Sequence, residues 1–288
     1  MEATAQDALA SEFEGHRSRL RAVAYRMLGS VSETDDVVQE AWLRLSRSDT
    51  SAIANLGAWL TTVVSRLCLD HLRARRAQPE DSLESRFPDP VLTDAAPDPE
   101  EQAFLAESVG LAMLVVLDQL GPAERLAFVL HDLFGLPFAE IAAIVERTPD
   151  ATKMLASRAR RRVQGARVVP DPDLAKQRIA VDAFQAAARE GDFEALLRVL
   201  DPDVVLRNAS AEGLRVVSGA AAVASGAVTF QQMALAARPV VVNGTAAVAA
   251  VRDGVTYSIA AFTVVDGRIV AIDILTDPER LRRLFPEG

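Results

Sequence analysis

Hydrophobic side chains recur at helical spacing through most of the first 166 residues, then give way to short β-rich runs beyond residue 200. Phe13, Leu20, Ala24 and Met27 predict an amphipathic helix that ends at Gly29. Ser32, with Asp35 three residues on, resembles a capping box and opens a helix to about Ser46. In that helix Val37, Val38, Ala41, Trp42 and Leu45 form the stripe to be buried. A polar loop, Arg47 to Ala54, leads to a long helix from Asn55 to about Ala77, with Trp59, Val63, Leu67 and Leu69 turned inward.

The segment Gln78 to Glu101 holds five prolines among acids, lacks the apolar content for a core, and reads as an extended linker. An apolar helix follows (Leu111, Leu114, Val115, Leu117), and Gly121-Pro122 starts the next. From Leu136 to Ala166 the chain predicts a helix, a tight turn and a second, strongly basic helix. Phe138, Ile141, Ala142 and Val145 give the first its apolar face. Thr148 offers an N-cap oxygen, and Pro149 sits where a missing N–H costs nothing. Lys153, Arg158, Arg160, Arg161 and Arg162 follow, with no acid from Ala151 to Gly165. That is the pattern of a helix-turn-helix whose second helix enters a major groove. A solvated basic face in any helical protein would look similar.

Pro170 and Pro172 mark a further boundary. Leu174 to Arg189 and Asp192 to Leu200 read as helices. Apolar runs follow at Val204 to Leu206, Pro239 to Val242, Ala246 to Val251, Val255 to Val265 and Arg268 to Leu275. Asp253-Gly254 and Asp266-Gly267 are hairpin turns between such runs. Helices followed by an antiparallel sheet make an α+β unit.

At 288 residues and half hydrophobic, the chain has room for two or three cores. Its net charge of −9 looks wrong for a nucleic-acid binder until it is located. Residues 79–107 alone carry one basic and nine acidic side chains, so the helical blocks are nearly balanced. The single cysteine, Cys68, lies in an apolar helical run and reads as a buried, inert thiol. His16, His71 and His131 are isolated, and no cluster has metal-ligand spacing. The N-terminal residues lack a signal-peptide core, and no run approaches the ~20 apolar residues of a membrane span. These features predict a soluble, cytoplasmic protein without metal or cofactor.

Two faces of the first block are candidates for contact. Asp36, Gln39, Glu40 and Leu43 follow one another at i, i+3, i+4 and i+7, a polar face with one exposed leucine. It could dock a partner or be ordinary surface. The long helix ends in Arg73, Arg75 and Arg76, a tip able to hold phosphates, and Asn55 at its start could hydrogen-bond an extruded base. The same arginines could simply complement the helix dipole.

With those residues in place the chain resembles the extracytoplasmic-function (ECF) class of bacterial RNA polymerase sigma factors. TDDVVQEAWLRL is similar to their region 2 helix that binds the clamp helices of the largest polymerase subunit. GAWLTTVVSRLCLDHLRARR resembles the segment that melts and reads the −10 element. LGPAERLAFVLHDLFGLPFAEIAAIVERTPDATKMLASRARRRV resembles region 4, which reads the −35 element. The likeness spans about residues 8–166. It implies core-polymerase contact by Asp36, Gln39, Glu40 and Leu43, and −10 contact by Asn55, Arg73, Arg75 and Arg76. Lys153, Ser157, Arg158, Arg161 and Arg162 would serve the −35 duplex. Lys153 is followed by Met154 and Leu155 rather than by the polar pair commonest in the class. That departure points to a subgroup with a C-terminal SnoaL-like domain. RFPDP at Arg86 to Pro90 is a variant of the Trp-Leu-Pro-Glu-Pro linker motif, and TDPERL at 276–281 is similar to Asn-Pro-Asp-Lys-Leu. The Asp-Gly-Gly-Gly-Lys element expected after Asp203 is absent; Arg207 to Gly213 reads RNASAEG.

The expected fold is therefore multidomain: a helical region 2 domain (1–78), an acidic linker (79–107), a region 4 helix-turn-helix domain (108–168) and an α+β, cone-shaped SnoaL-like domain (173–288). The resemblance implies core RNA polymerase and promoter DNA as partners of a chain that is monomeric when free. The C-terminal domain would be a built-in regulator, with a cavity able to take a small-molecule ligand. Two rivals remain. A stand-alone helix-turn-helix regulator would bind DNA without polymerase, but the motif order and the lack of a dimerisation heptad speak against it. An isomerase or epoxide hydrolase in the third block would need a general base in an apolar cavity. The candidates are Asp203, Arg207, Asn208, Tyr257 and Asp273. Alternation puts Asp273 opposite Ile272 and Ile274, and an inward Asp273 would be costly unless paired. No catalytic residue is expected.

Overall fold

The computed structural model describes residues 2–77, 87–93, 109–229 and 237–285. They fall into two compact units, one of residues 2–77 with 117–162, the other of 87–93, 109–116, 163–229 and 237–285. Arg86, in the linker motif, lies outside the described residues, as do 79–85 and 94–107 of the linker.

The first unit is helical. Helices α1 (Glu2–Leu28), α2 (Val31–Ser46) and α3 (Leu56–Ala77) pack on one another. Phe13, Leu20, Met27, Leu45, Leu60 and Leu69 are fully buried among them. α1 stops where glycine allows it, with Gly29 at φ +73°. α2 begins earlier than the capping box places it. Ser30 is its N-cap position and makes no side-chain cap bond, while the Thr34 hydroxyl donates back to the Ser30 carbonyl. In α3 the buried stripe is Leu60, Val64, Leu67, Cys68 and Leu72, and the expected Trp59 and Val63 are only half-buried. The expected Leu67 and Leu69 are both buried.

Helices α5 (Pro122–Phe128), α6 (Phe138–Val145) and α7 (Pro149–Gly165) complete this unit, and a π-helical turn at Val129–Leu133 follows α5. α5 and α6 pack against α3. Arg125 of α5 is 2% exposed and donates to the Arg26 carbonyl (3.0 Å) and to Asp118 (3.2 Å). Burial pulls its guanidinium pKa down to about 10 against the opposing pull of Asp118. Burial likewise pushes the Cys68 thiol well above its ordinary value, so it stays protonated.

The second unit is built on a seven-stranded sheet in the order β1-β4-β5-β6-β7-β2-β3. The strands are β1 (Leu92–Thr93), β2 (Leu200–Ser210), β3 (Gly213–Ser218), β4 (Ala237–Val242), β5 (Thr245–Arg252), β6 (Val255–Val265) and β7 (Arg268–Leu275). The sheet is mixed rather than antiparallel, because β2 and β7 pair in parallel. Helices α8 (Leu174–Glu190), α9 (Phe193–Val199) and α10 (Ala220–Thr229) pack on it. Val181, Leu196, Val204, Phe262 and Ile272 lie in the core between helices and sheet. This is an α+β arrangement of helices on one sheet. Asp253-Gly254 and Asp266-Gly267 turn with φ positive at both positions, as hairpins of this hand require.

Four elements escape the sequence reading: β1, β3, α10 and the terminal helix α11 (Pro278–Leu284). The stretch RNASAEG is the end of β2 and a tight turn into β3, with Ser210 paired to Gly213. β1 corrects the linker. Leu92 and Thr93 pair antiparallel with Val242 and Val241, so this part of the proline-rich segment is a strand of the C-terminal sheet. α4 (Leu111–Asp118) is the expected apolar helix, and its residues 111–116 belong to the second unit.

Candidate nucleic-acid interface

The turn into α7 forms as its residues dictate. Glu146 ends α6 in a left-handed conformation, and the Thr148 hydroxyl accepts from Ala151 N (3.2 Å). His131 is structural, stacked on Phe138 at 3.8 Å with Nδ1 against the Leu136 carbonyl. Thr152, Ala156 and Ala159 point α7 into the unit, and with Val163 they form its buried stripe. At ~100° per residue, Met154 and Arg161 lie almost opposite that stripe, with Arg158 within ~60° of both. Lys153, Arg158, Arg161 and Arg162 are exposed and Ser157 is half-buried. Arg160 and Arg162 are drawn sideways into ion pairs with Asp132 and Glu124. Arg161 donates to the Ser157 carbonyl (3.4 Å). Lys153, Arg158 and Arg161 make no ion pair among the described residues, so beyond the exposed Asp150 of the first turn the outward face is cationic.

On α2, Asp36, Gln39 and Leu43 are exposed, and Glu40 is half-buried in a pair with Arg44 (2.9 Å). The four lie along one helix face, with Val37, Val38, Ala41 and Leu45 buried behind them. Around α3 the candidate residues separate. Asn55 is the N-cap, its Oδ1 accepting from Ala58 N (3.0 Å). At the other end Arg73 is exposed beside Asp70 (3.6 Å). Arg75 is half-buried against Glu33 and the Leu28 carbonyl, and Arg76 donates to the Leu120 carbonyl (2.9 Å). Asn55 and the arginines thus lie at opposite ends of one helix.

In the second unit two residues outside the expected set hold the linker. Asn243, 1% exposed and at φ +52°, forms with Gly244 the tight turn between β4 and β5. Its Oδ1 accepts from Val91 N (3.0 Å), its backbone N–H donates to the Val91 carbonyl (2.9 Å), and its Nδ2 donates to the Val109 carbonyl (3.3 Å). Arg280 of α11 donates to the Phe87 carbonyl (2.6 Å) and to Asp89 (2.7 Å). The Asn-Gly pair between two apolar runs was the available signal for the turn. Nothing local signals its hold on Val91 and Val109.

Of the residues weighed for catalysis, Arg207 and Asp273 meet at 2.9 Å on paired strands, away from the helix-facing Ile272 and Ile274. Asp273 is 1% exposed, and burial raises its pKa although Arg207 opposes the shift. Asn208 accepts from the Thr276 hydroxyl (2.9 Å), Asp203 is exposed, and Tyr257 lies beside Arg252. No group of metal-ligating side chains occurs among the described residues, and none of the described helices is long and apolar enough to cross a membrane.

Comparison with known proteins matches these units to function. Residues 13–78 fit the family model of sigma-70 region 2, and residues 111–163 that of sigma-70 region 4. A protein of Mycobacterium tuberculosis described as the probable ECF RNA polymerase sigma factor SigI is 35% identical over 287 residues, covering 98% of this chain and 97% of its own. The ECF sigma factor SigJ of the same organism is 46% identical over 197 residues, 67% of this chain and 62% of its own. The crystal structure of M. tuberculosis SigJ superposes with a TM-score of 0.79 at 34% identity, covering 97% of this chain and all of that one. The fold and the two helical regions define a bacterial transcription initiation factor. The chain belongs to the extracytoplasmic-function RNA polymerase sigma factors, which work with core RNA polymerase on promoter DNA.

Proposed function

We propose that α2 docks this sigma factor on core polymerase, that α3 and α7 take the two promoter elements, and that the C-terminal domain is a built-in regulator. Asp36, Gln39, Glu40 and Leu43 make the polymerase contact. Asn55 serves the −10 element with the amide nitrogen left over from capping, and Arg73, Arg75 and Arg76, at the other end of α3, hold phosphates further along the DNA. Lys153, Ser157, Arg158, Arg161 and Arg162 hold the −35 duplex. The observation that carries the reading is the exposed side of α7, where Arg158 and Arg161 on the outward face and Lys153 on its flank make no ion pair among the described residues. Such a face gains from phosphate and guanine edges what it lacks within the chain. The chain is monomeric when free and acts in the cytoplasm, and no step asks its residues to make or break a covalent bond.

The regulatory part rests on the linker. Fully extended, residues 78–108 could span roughly 100 Å. With Phe87 to Thr93 and Val109 held by Arg280, β4 and Asn243, the covalent reach from the end of α3 to the first held residue is that of nine residues, at most ~30 Å. The C-terminal domain thereby sets how far regions 2 and 4 can separate, and the tether keeps that hold at high effective concentration.

The test is co-elution of the full chain with core RNA polymerase, followed by promoter binding of the complex. The expected result is a complex that forms with the wild type and with Arg158→Ala/Arg161→Ala, but not with Asp36→Ala/Leu43→Ala. The Arg158→Ala/Arg161→Ala complex should bind promoter DNA more weakly. Specific promoter binding by the free chain, with no affinity for polymerase, would replace this reading with a stand-alone regulator.

A further inference from the structure

Among the described residues of the helical unit, two large apolar side chains are exposed, Leu43 and Met154. Leu43, at 37% exposure, sits on the face of α2 assigned to polymerase. Met154, at 59%, sits on α7 and has no role in the reading so far. Its place is specific. It is six residues into the helix, in the N-terminal half that reaches base edges when such a helix lies in a major groove. It is also nearly diametric to the buried stripe of Thr152, Ala156, Ala159 and Val163. A side chain there meets the floor of the groove rather than its phosphate walls.

The neighbours sharpen this. One turn before Met154 on the same outward side is the exposed Asp150, and after it come Arg158 and Arg161. An acid beside it disfavours phosphate at this point, while the two arginines can hold the backbone further along. The thioether has no donor and is a poor acceptor, so its contribution is apolar. The apolar group that a base presents in the major groove is the 5-methyl of thymine.

Resting on the reading of α7 as the −35 helix, we infer that Met154 is a specificity-determining residue that packs on a thymine methyl in the −35 element. Methionine suits that contact, since it is unbranched, polarisable and able to fit an irregular surface. Its share of the affinity is independent of salt, unlike that of the flanking arginines.

The experiment uses holoenzyme assembled from the full chain and core polymerase, with a promoter recovered from a library randomised across the −35 region. Each thymine of that region, on either strand, is replaced in turn by deoxyuridine, which removes the methyl and nothing else. At one position the wild-type holoenzyme should lose about fourfold in affinity, the order expected for one buried methyl. Met154→Ala holoenzyme should bind the thymine promoter more weakly and be indifferent to deoxyuridine at that same position. Met154→Leu should restore most of the discrimination. Because Met154 is exposed, the alanine variant should fold as the wild type does.

A deoxyuridine effect of equal size in wild type and Met154→Ala would overturn the inference, as would a recovered element with no sensitive thymine. Arg158→Ala/Arg161→Ala holoenzyme, run in parallel, tests the parent reading. If that variant keeps full promoter affinity, α7 is not the −35 helix and both ideas fall. If it loses affinity while Met154→Ala changes nothing, the Met154 assignment alone fails.

Discussion

Arg280 and Asp89, 191 positions apart in the chain, meet at 2.7 Å, and the same Arg280 nitrogen also donates to the Phe87 carbonyl. Both side chains are largely buried, so each depends on the other for its hydration loss. Arg280→Ala should remove the guanidinium from Asp89 and from the Phe87 carbonyl, cost about 1–3 kcal/mol of local stability, and loosen Phe87 to Thr93. Hydrogen exchange of the Leu92 and Thr93 amides in the full chain checks this. Protection equal to wild type would show that the pair does not hold the linker.

Asn243 can be dissected by chemistry. Its conformation at φ +52° suits asparagine and glycine, so Asn243→Gly keeps the turn and removes the side-chain bonds to Val91 and Val109. Asn243→Asp keeps an acceptor for Val91 N and loses the donor to Val109. The expected order of linker protection is wild type, then Asp, then Gly, with the β4–β5 hairpin intact in all three. If the linker is the regulatory element, transcription by polymerase carrying these variants should change in the same order. Graded protection without a graded transcriptional change would confine Asn243 to a structural role.

What the sequence made legible was local. Thr148, Pro149 and the basic run after them specify the turn and α7 within a few residues, and Asp266-Gly267 specifies its hairpin in two. The faces of α2 could be assigned because helical spacing separates Val37, Val38 and Ala41 from Asp36, Gln39 and Leu43. The rest depended on distant partners. Asp273 reads as an outward acid until Arg207, 66 positions earlier, is brought beside it by the parallel pairing of β2 and β7. Leu92 and Thr93 are strand residues only because β4 has an edge to offer. β1, with two residues, is too short for a period to show, and β3 lacks a clean alternation of buried and exposed positions.

Arg125 is the clearest case of a residue whose value lies in its partners. Fully buried, it bridges α5 to the end of α1 through the Arg26 carbonyl and is neutralised by Asp118. Arg125→Ala should destabilise the helical unit by about 3–5 kcal/mol, since it strands Asp118 and opens a cavity. Arg125→Met, which fills the volume, should cost less, and more so when combined with Asp118→Leu. Denaturant midpoints of the four proteins decide this, and equal losses for Ala and Met would exclude the packing part of the argument.

The Arg207–Asp273 pair makes a prediction with a definite sign in pH. Burial outweighs the pull of Arg207, so the folded-state pKa of Asp273 lies above its unfolded value. The folded protein therefore holds this proton at a pH where the unfolded chain has released it. Its stabilising contribution is fully present below the unfolded pKa and is lost as pH rises through the folded one. Oδ2 of Asp273 has no hydrogen-bond partner among the described residues, which is where a proton would sit. Asp273→Asn removes the titration while keeping the shape and an acceptor for Arg207. Denaturant midpoints from about pH 4 to pH 8 should show the wild type losing stability relative to Asp273→Asn as pH rises out of the carboxylate range. A difference that grows in the other direction would mean that Arg207 wins over burial, and that the pair is held as a full ion pair across the whole range.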